Sequence, residues 1–338
     1  MSPMTPSGGL LALALICSVP LLSASAASQP RPKFRVAVVR NDSDGPKYMA
    51  EGGLRPLLEK LGCDVTGPDV VALTREERAE YGAWNQDALE SRHIGALVAR
   101  NGQGEGLVLG LLTNCTDLLG MLAGLQHLGP ALDPSDPAAK GERREGLAGL
   151  KPLRVGLVYF DAHADFNTPE TTLSGMLGGM DVAVAAGMCL TRLRLKAGLD
   201  PALPTKYIVF GGLRDVDPLE RELLDRSECQ YLSVADIRTA AGAVEAQVRR
   251  LGSLVDVIYV HVDMDVLDPA EVAGHPLTAP EGPTSVELAK AIRRIFAHPK
   301  AASLGLASIP FGDRDKDGRS LQAAYRLIEA SVAGIRSR

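Results

Sequence analysis

Two apolar runs in this chain end in ligand-type side chains at alternate positions. The first, Leu153–Phe160, passes into Asp161-Ala-His163-Ala-Asp165-Phe-Asn167. The second, Val255–Val262, passes through His261-Val-Asp263-Met-Asp265. In extended backbone, residues two apart project to the same side, so Asp161, His163 and Asp165 form one set and Asp263 and Asp265, with His261, another. Carboxylates crowded together without counter-charge repel and take up protons. Two divalent cations remove the conflict, because the charge of the four aspartates equals that of two such ions. Oxygen-rich ligation with one imidazole favours Mn²⁺ among the first-row metals. An ion pair of this kind lowers the pKa of a shared water and delivers hydroxide to a trigonal carbon. Asp268-Pro269, just beyond, reads as turn chemistry.

Elements that alternate between strand and helix must position these residues. Phe34–Val39, Gly106–Leu111, Leu153–Phe160, Tyr207–Phe210, Val255–Val262 and Ala302–Ile309 read as strands. Helices are expected ending over Leu54–Leu61, and over Gln86–Arg100, Thr116–His127 and Leu321–Ile335. Gly129–Lys151, polar and rich in proline, reads as a surface loop. Continuous apolar strands separated by helices imply a mainly parallel sheet covered on both faces, a three-layer α/β/α domain. In such sheets the site lies at the carboxyl ends of the strands, where both aspartate sets fall.

The runs Asp161–Gly179 (DAHADFNTPETTLSGMLGG), Gly212–Pro218 (GLRDVDP) and Asp263–Pro269 (DMDVLDP) together resemble the arginase/ureohydrolase superfamily. The second run is closer to the arginases than to the agmatinases. The resemblance follows the element order over most of residues 34–335. It implies an arginase-like fold and a binuclear Mn²⁺ hydrolase of guanidino compounds that releases urea and an amine. Carried over by motif, Asp161 and Asp263 bridge both metals, Asp165 completes one ion, and His163 and Asp265 complete the other. Asn167 and Ser174 then hold a substrate α-carboxylate, and Asp217, helped by Glu220, the α-amino group; amide and hydroxyl donors suit the one, carboxylates the other. Asp165 is the group expected to steer the hydroxide proton. The resemblance also implies a homotrimer or hexamer.

Four positions depart from the family pattern. Cys115, in Leu111-Leu112-Thr113-Asn114-Cys115-Thr116, stands where the family has a metal-binding histidine. A thiolate there shifts preference toward Zn²⁺, Fe²⁺ or Co²⁺. Gly178 replaces the family's proton-shuttling histidine, Met176 replaces an asparagine that contacts the carboxylate, and Ala307 falls where a glutamate anchors the guanidinium. The amino-acid end of the pocket is thus kept and the guanidine end altered. The expected substrate is L-arginine, giving ornithine, or a modified arginine such as an N-hydroxylated one. Two other readings stand beside it: a metal-containing binding protein without turnover, and a hydrolase of another guanidino or formimino compound.

Composition narrows the partners. Net charge is −5 and aromatics are 4%, with Trp84 the single tryptophan. This excludes a basic, base-stacking nucleic-acid surface, and a small guanidino compound is the expected ligand. Leu10–Leu22 is apolar but too short to span a bilayer. Ala24-Ser25-Ala26 follows it as a small-residue cleavage pattern, so residues 1–27 read as a signal peptide, although no Lys or Arg precedes the apolar stretch. The remaining domain, 28–338, is expected to be exported, periplasmic or secreted, with no membrane attachment after cleavage. Cys63, Cys115, Cys189 and Cys229 remain in it, and their spacing defines no disulfide framework. On expression with an export pathway, intact-mass measurement should find a mature chain starting at Ala27 or Ser28; a retained Met1 would refute the export reading.

Overall fold

The computed structural model describes residues 34–102, 106–128, 152–239 and 242–338. The expected signal segment and the whole Gly129–Lys151 loop lie outside the described residues. Eight strands form one sheet: β1 Phe34–Asn41, β2 Cys63–Val71, β3 Gly106–Leu111, β4 Val155–Phe160, β5 Ile208–Gly211, β6 Gln230–Leu232, β7 Val257–Asp263 and β8 Ala301–Ala307. Their order is β2-β1-β3-β8-β7-β4-β5-β6, and every pairing is parallel. The three-layer α/β expectation therefore holds, and the sheet is wholly parallel.

The reason lies in the residues of the inner strands. All positions of β4 and β7 are buried, because helices cover both faces. On one face Val158, Phe160, Val260, Val262 and Leu304 pack with helices Arg55–Lys60, Ala243–Leu254, Ser285–Phe296 and Arg319–Ile335. On the other, Leu157, Tyr159, Tyr259 and Phe210 pack with helices Ala83–Asn101, Leu118–Gln126 and Asp181–Ala185.

Both edge strands escape the sequence pattern. β2 alternates half-buried and exposed positions along its middle and carries Gly67-Pro68, residues that argue against a strand in any but an edge position. Gly67 has φ +84°, and a Cβ there would lie 2.3 Å from the Val38 carbonyl oxygen. β6 is only three residues long, below the length at which alternation is visible. The helix expected to end at Leu61 is the last part of a longer run that starts at Asp44 and passes through a π turn at Ala50–Leu54.

Helices Ala83–Asn101 and Leu118–Gln126 approach closely through small residues. A Cβ on Gly120 would lie 2.2 Å from the Ser91 carbonyl oxygen, and one on Gly124 would lie 2.5 Å from Val98 Cβ. The second helix matters to the site because the 3₁₀ turn Cys115–Asp117 leads directly into it. Gly120→Ala gains about 1 kcal/mol of helix propensity. Overpacking against rigid backbone costs about 1–3 kcal/mol, so the variant should show a lower urea midpoint. An unchanged midpoint would mean that the two helices can separate freely.

Candidate active site

The carboxyl ends of β3, β8, β7, β4 and β5 lie side by side, and the loops that leave them line one cavity of about 460 Å³. Its floor is the aspartate cluster. After β4, Asp161 Oδ1 accepts the His163 backbone N–H at 2.7 Å. His163 Nδ1 stands 3.3 Å from Asp161 Oδ1 and 3.1 Å from Asp265 Oδ2. Asp265 Oδ1 accepts the Ala162 backbone N–H at 3.2 Å, which ties the β4 and β7 loops together. Asp263 is engaged at both oxygens. Its Oδ1 accepts the Asp265 N–H at 2.9 Å, and its Oδ2 accepts the Cys115 thiol at 2.8 Å and the Ser308 hydroxyl at 2.6 Å.

Asp165 sits at φ +48°, in the left-handed region that residues other than glycine rarely occupy. Its surroundings hold it there. Its carbonyl accepts the Val182 N–H at 2.9 Å at the start of helix Asp181–Ala185, and its carboxylate accepts the Tyr159 hydroxyl.

Three overlapping groups bring their ligand atoms within 4.8 Å of one another: Cys115, Asp161 and Asp165; Asp161, His163 and Asp265; Asp263, Asp265 and His275. Asp161, Asp165, Asp263 and Asp265 are all buried. The donor set fits divalent cations, since two imidazoles cannot neutralise four buried carboxylates. The ionisation of the side chains carries the same message. Burial, then Asp265, pushes the Asp161 carboxyl well above the usual range. Burial does the same to Asp165, against the Tyr159 hydrogen bond. Burial and the neighbouring Asp265 lift Asp263 to about 6. Burial opposes ionisation of Asp265 too, but the His163 hydrogen bond outweighs it and keeps that carboxyl low. His163, although burial works against its charge, is carried up to about 11 by Asp161 and Asp265. Burial and the facing Asp263 push the Cys115 thiol well up.

The residues assigned to the substrate line the same cavity: Asn167, Ser174, Asp217 and Glu220, with Gly178 and Met176. Asn167 Nδ2 donates to Asp217 Oδ2 at 3.0 Å, and its Oδ1 accepts from Thr171 Oγ1 at 2.9 Å. Ser174 is exposed at the rim. Glu220 is buried, and its oxygens accept the Phe166 and Asp217 backbone N–H groups at 2.7 and 3.2 Å, so it fixes the two loops that carry Asn167 and Asp217. Ala307 is buried at the end of β8, and the next residue, Ser308, turns its hydroxyl to Asp263. Hence β8 adds no carboxylate to the cavity.

His261 takes part in none of the three groups. It bonds the Tyr259 hydroxyl through Nδ1 at 2.8 Å and stacks on Tyr159 with 5.1 Å between ring centroids. Burial drives its pKa down to about 3, so the ring supports the tyrosine that holds Asp165. Sequence reasoning missed His275, Asp215, Tyr159 and the task of Arg214. The Arg214 guanidinium donates to the carbonyls of Gly212, Asp265, Ala279 and Pro280 at 2.8–3.1 Å, pinning the β7 loop to the β5 loop. Its place inside GLRDVDP was the available signal. His275 belongs to no recognised run, and only the fold brings it to Asp263.

The family pattern named "Arginase family" matches residues 144–330, more than half of the chain. The chain belongs to the arginase family, the ureohydrolases. It is 26% identical to an arginase of Entamoeba histolytica over 71% of this chain and 75% of that protein. It is 33% identical to the N(omega)-hydroxy-L-arginine amidinohydrolase of Streptomyces lavendulae over 51% of this chain and 57% of that one. The crystal structure of Entamoeba histolytica arginase in complex with L-ornithine superposes with a TM-score of 0.70 at 21% identity, covering 89% of this chain and 99% of the other.

A carboxyl whose pKa is raised by folding stabilises the fold while protonated and loses that contribution as pH rises through its folded value. For Asp263 the window runs from its unfolded value near 4 to about 6, and Asp161 and Asp165 shift in the same direction. Chelator-treated protein should therefore lose melting temperature between pH 4.5 and 7, less steeply in Asp263→Asn. Added Mn²⁺ should restore it at pH 7 by binding only the folded state. A melting temperature indifferent to the metal would refute a built cation site.

Proposed function

We propose that the chain is a binuclear-metal amidinohydrolase that splits the guanidino group of L-arginine or a modified arginine into urea and ornithine or the corresponding amine. The observation that carries this reading is the set of overlapping ligand groups on the cavity floor, which share Asp161 and Asp265 and set four carboxylates against two imidazoles and one thiol. Asp161 and Asp263 would be shared between two Mn²⁺ ions, with Cys115 and Asp165 completing one and His163 and Asp265 the other. The thiol of Cys115 also admits Zn²⁺, Fe²⁺ or Co²⁺. Such ions supply the positive charge that allows water to ionise near neutral pH.

The protein's own groups do the rest. Asp165, fixed by Tyr159 and by its helix contact, receives and steers the proton of the attacking water. The Asn167–Asp217 pair presents an amide and a carboxylate together at the cavity wall, suited to the two charges of an α-amino acid. Gly178 offers no proton donor to the leaving amine. A general acid is typically worth about 10²–10⁴-fold, so a leaving group of low basicity, such as a hydroxylamine, is favoured over a plain alkylamine. The similarity to a hydroxyarginine amidinohydrolase supports the same direction. Export and trimeric or hexameric assembly belong to this reading.

Elemental analysis after reconstitution with Mn²⁺ should give two ions per chain, and a guanidino panel should yield urea, lost in folded Asp263→Asn. Two ions without turnover of any substrate would leave a binding protein. A Cβ at Gly178 meets nothing within 4 Å, so Gly178→His should fit and raise kcat on arginine by about 10²-fold; no gain would show that the leaving amine does not pass that wall.

A further inference from the structure

His275 is placed as no motif required. It follows Gly274, where a Cβ would lie 2.0 Å from the Arg314 carbonyl oxygen, and precedes Pro276. The β7 loop is therefore pressed against the Gly312–Arg314 turn, and the imidazole has little freedom. Its side chain is 5% exposed, yet it lines the cavity. Nδ1 accepts the Leu277 backbone N–H at 3.2 Å, and a ring that accepts at Nδ1 carries its proton on Nε2. Nε2 stands 3.6 Å from Asp263 Oδ1, beyond a normal hydrogen bond, and has no hydrogen-bond partner among the described residues. A rigid, unspent N–H thus faces the cavity beside the cluster. The tautomer also argues against His275 as a ligand through Nε2, although it lies within reach of Asp263 and Asp265.

We infer that His275 is a specificity-determining donor that contacts the amidino end of the substrate. A protonated guanidinium offers only N–H donors, and a fixed N–H opposite them leaves two donors facing each other. The neighbouring wall brings no charge to match it, because Ala307 ends β8 without a carboxylate and Ser308 is a neutral hydroxyl. An amidino compound with an acceptor at its terminal nitrogen satisfies His275: the oxygen of an N-hydroxyguanidine. This rests on the amidinohydrolase reading and sharpens its substrate class. Losing one hydrogen bond in a desolvated site is worth about ten-fold in binding.

The test compares Mn²⁺-loaded wild type, His275→Ala and His275→Gln on L-arginine and its N-hydroxy derivative, with metal content measured on each. Wild type should prefer the hydroxylated substrate. His275→Ala should lower kcat/KM for it about ten-fold more than for arginine, with the ion count unchanged. His275→Gln, which keeps a donor of similar reach, should recover most of the preference. Equal losses on both substrates, a fall in metal content, or no recovery in Gln would overturn the inference. If wild type turns over neither compound, the hydrolase reading fails on its own. Calorimetric binding of hydroxyguanidine against guanidinium then still decides about His275: the ratio should drop about ten-fold in Ala, and an unchanged ratio would overturn the role.

Discussion

Mutual repulsion among Asp161, Asp165, Asp263 and Asp265 is the constraint around which this molecule is built. Each is buried at or just beyond the end of β4 or β7, where the ladder stops and the backbone has amides left to offer. Several of those amides are spent on the carboxylates: His163 N–H on Asp161, Asp265 N–H on Asp263, and Ala162 N–H on Asp265 across the β4–β7 junction. Hydrogen bonds to charged acceptors are stronger than neutral ones, but they do not remove net charge. The sheet brings the four groups together, and only cations complete the balance. The thiol of Cys115 and the hydroxyl of Ser308, both on one oxygen of Asp263, show how closely β3 and β8 approach the same point from the other side.

The inner strands were legible because burial on both faces leaves continuous apolar runs, and the aspartate sets because they follow those runs directly. The extended backbone expected through them stops at Phe160 and Asp263; a left-handed Asp165 and the 3₁₀ turn Met264–Val266 bring the carboxylates together instead. The edges were not legible. β2 is half-solvated and interrupted by Pro68, and β6 is too short to show a period. Asn167, Ser174, Asp217 and Glu220, singled out from the sequence, all line the cavity. What Glu220 does was not readable, since both its oxygens serve backbone amides that only the folded loops bring near. His275 and Tyr159 were invisible for a related reason. One acts through a contact from another loop, the other from within an apolar strand where a tyrosine looks like core.

Both groups of cavity side chains act as units, through different partners. Asn167, Asp217 and Glu220 interlock by hydrogen bonds, so changing one disturbs the others. Cys115, His275 and Ser308 come from separate loops but converge on one carboxylate: the thiol and the hydroxyl share Asp263 Oδ2, and the imidazole stands beside Oδ1. Groups with a shared partner are not additive, so changes at these three positions are coupled through Asp263.

The bond from Val182 to the Asp165 carbonyl closes the chain segment between them at its base. The segment from Asn167 to Gly179 is thus a handle closed at its base, where the Asn167 N–H also bonds the Gly179 carbonyl and the Asn167 side chain bonds Asp217. Closing a longer handle costs little, about 0.6 kcal/mol for each doubling of length. Insertions near its exposed tip, around Leu173–Met176, leave the geometry of Asp165 untouched. Changing the loop length there reshapes the rim of the cavity, with the aspartate cluster neither consulted nor disturbed.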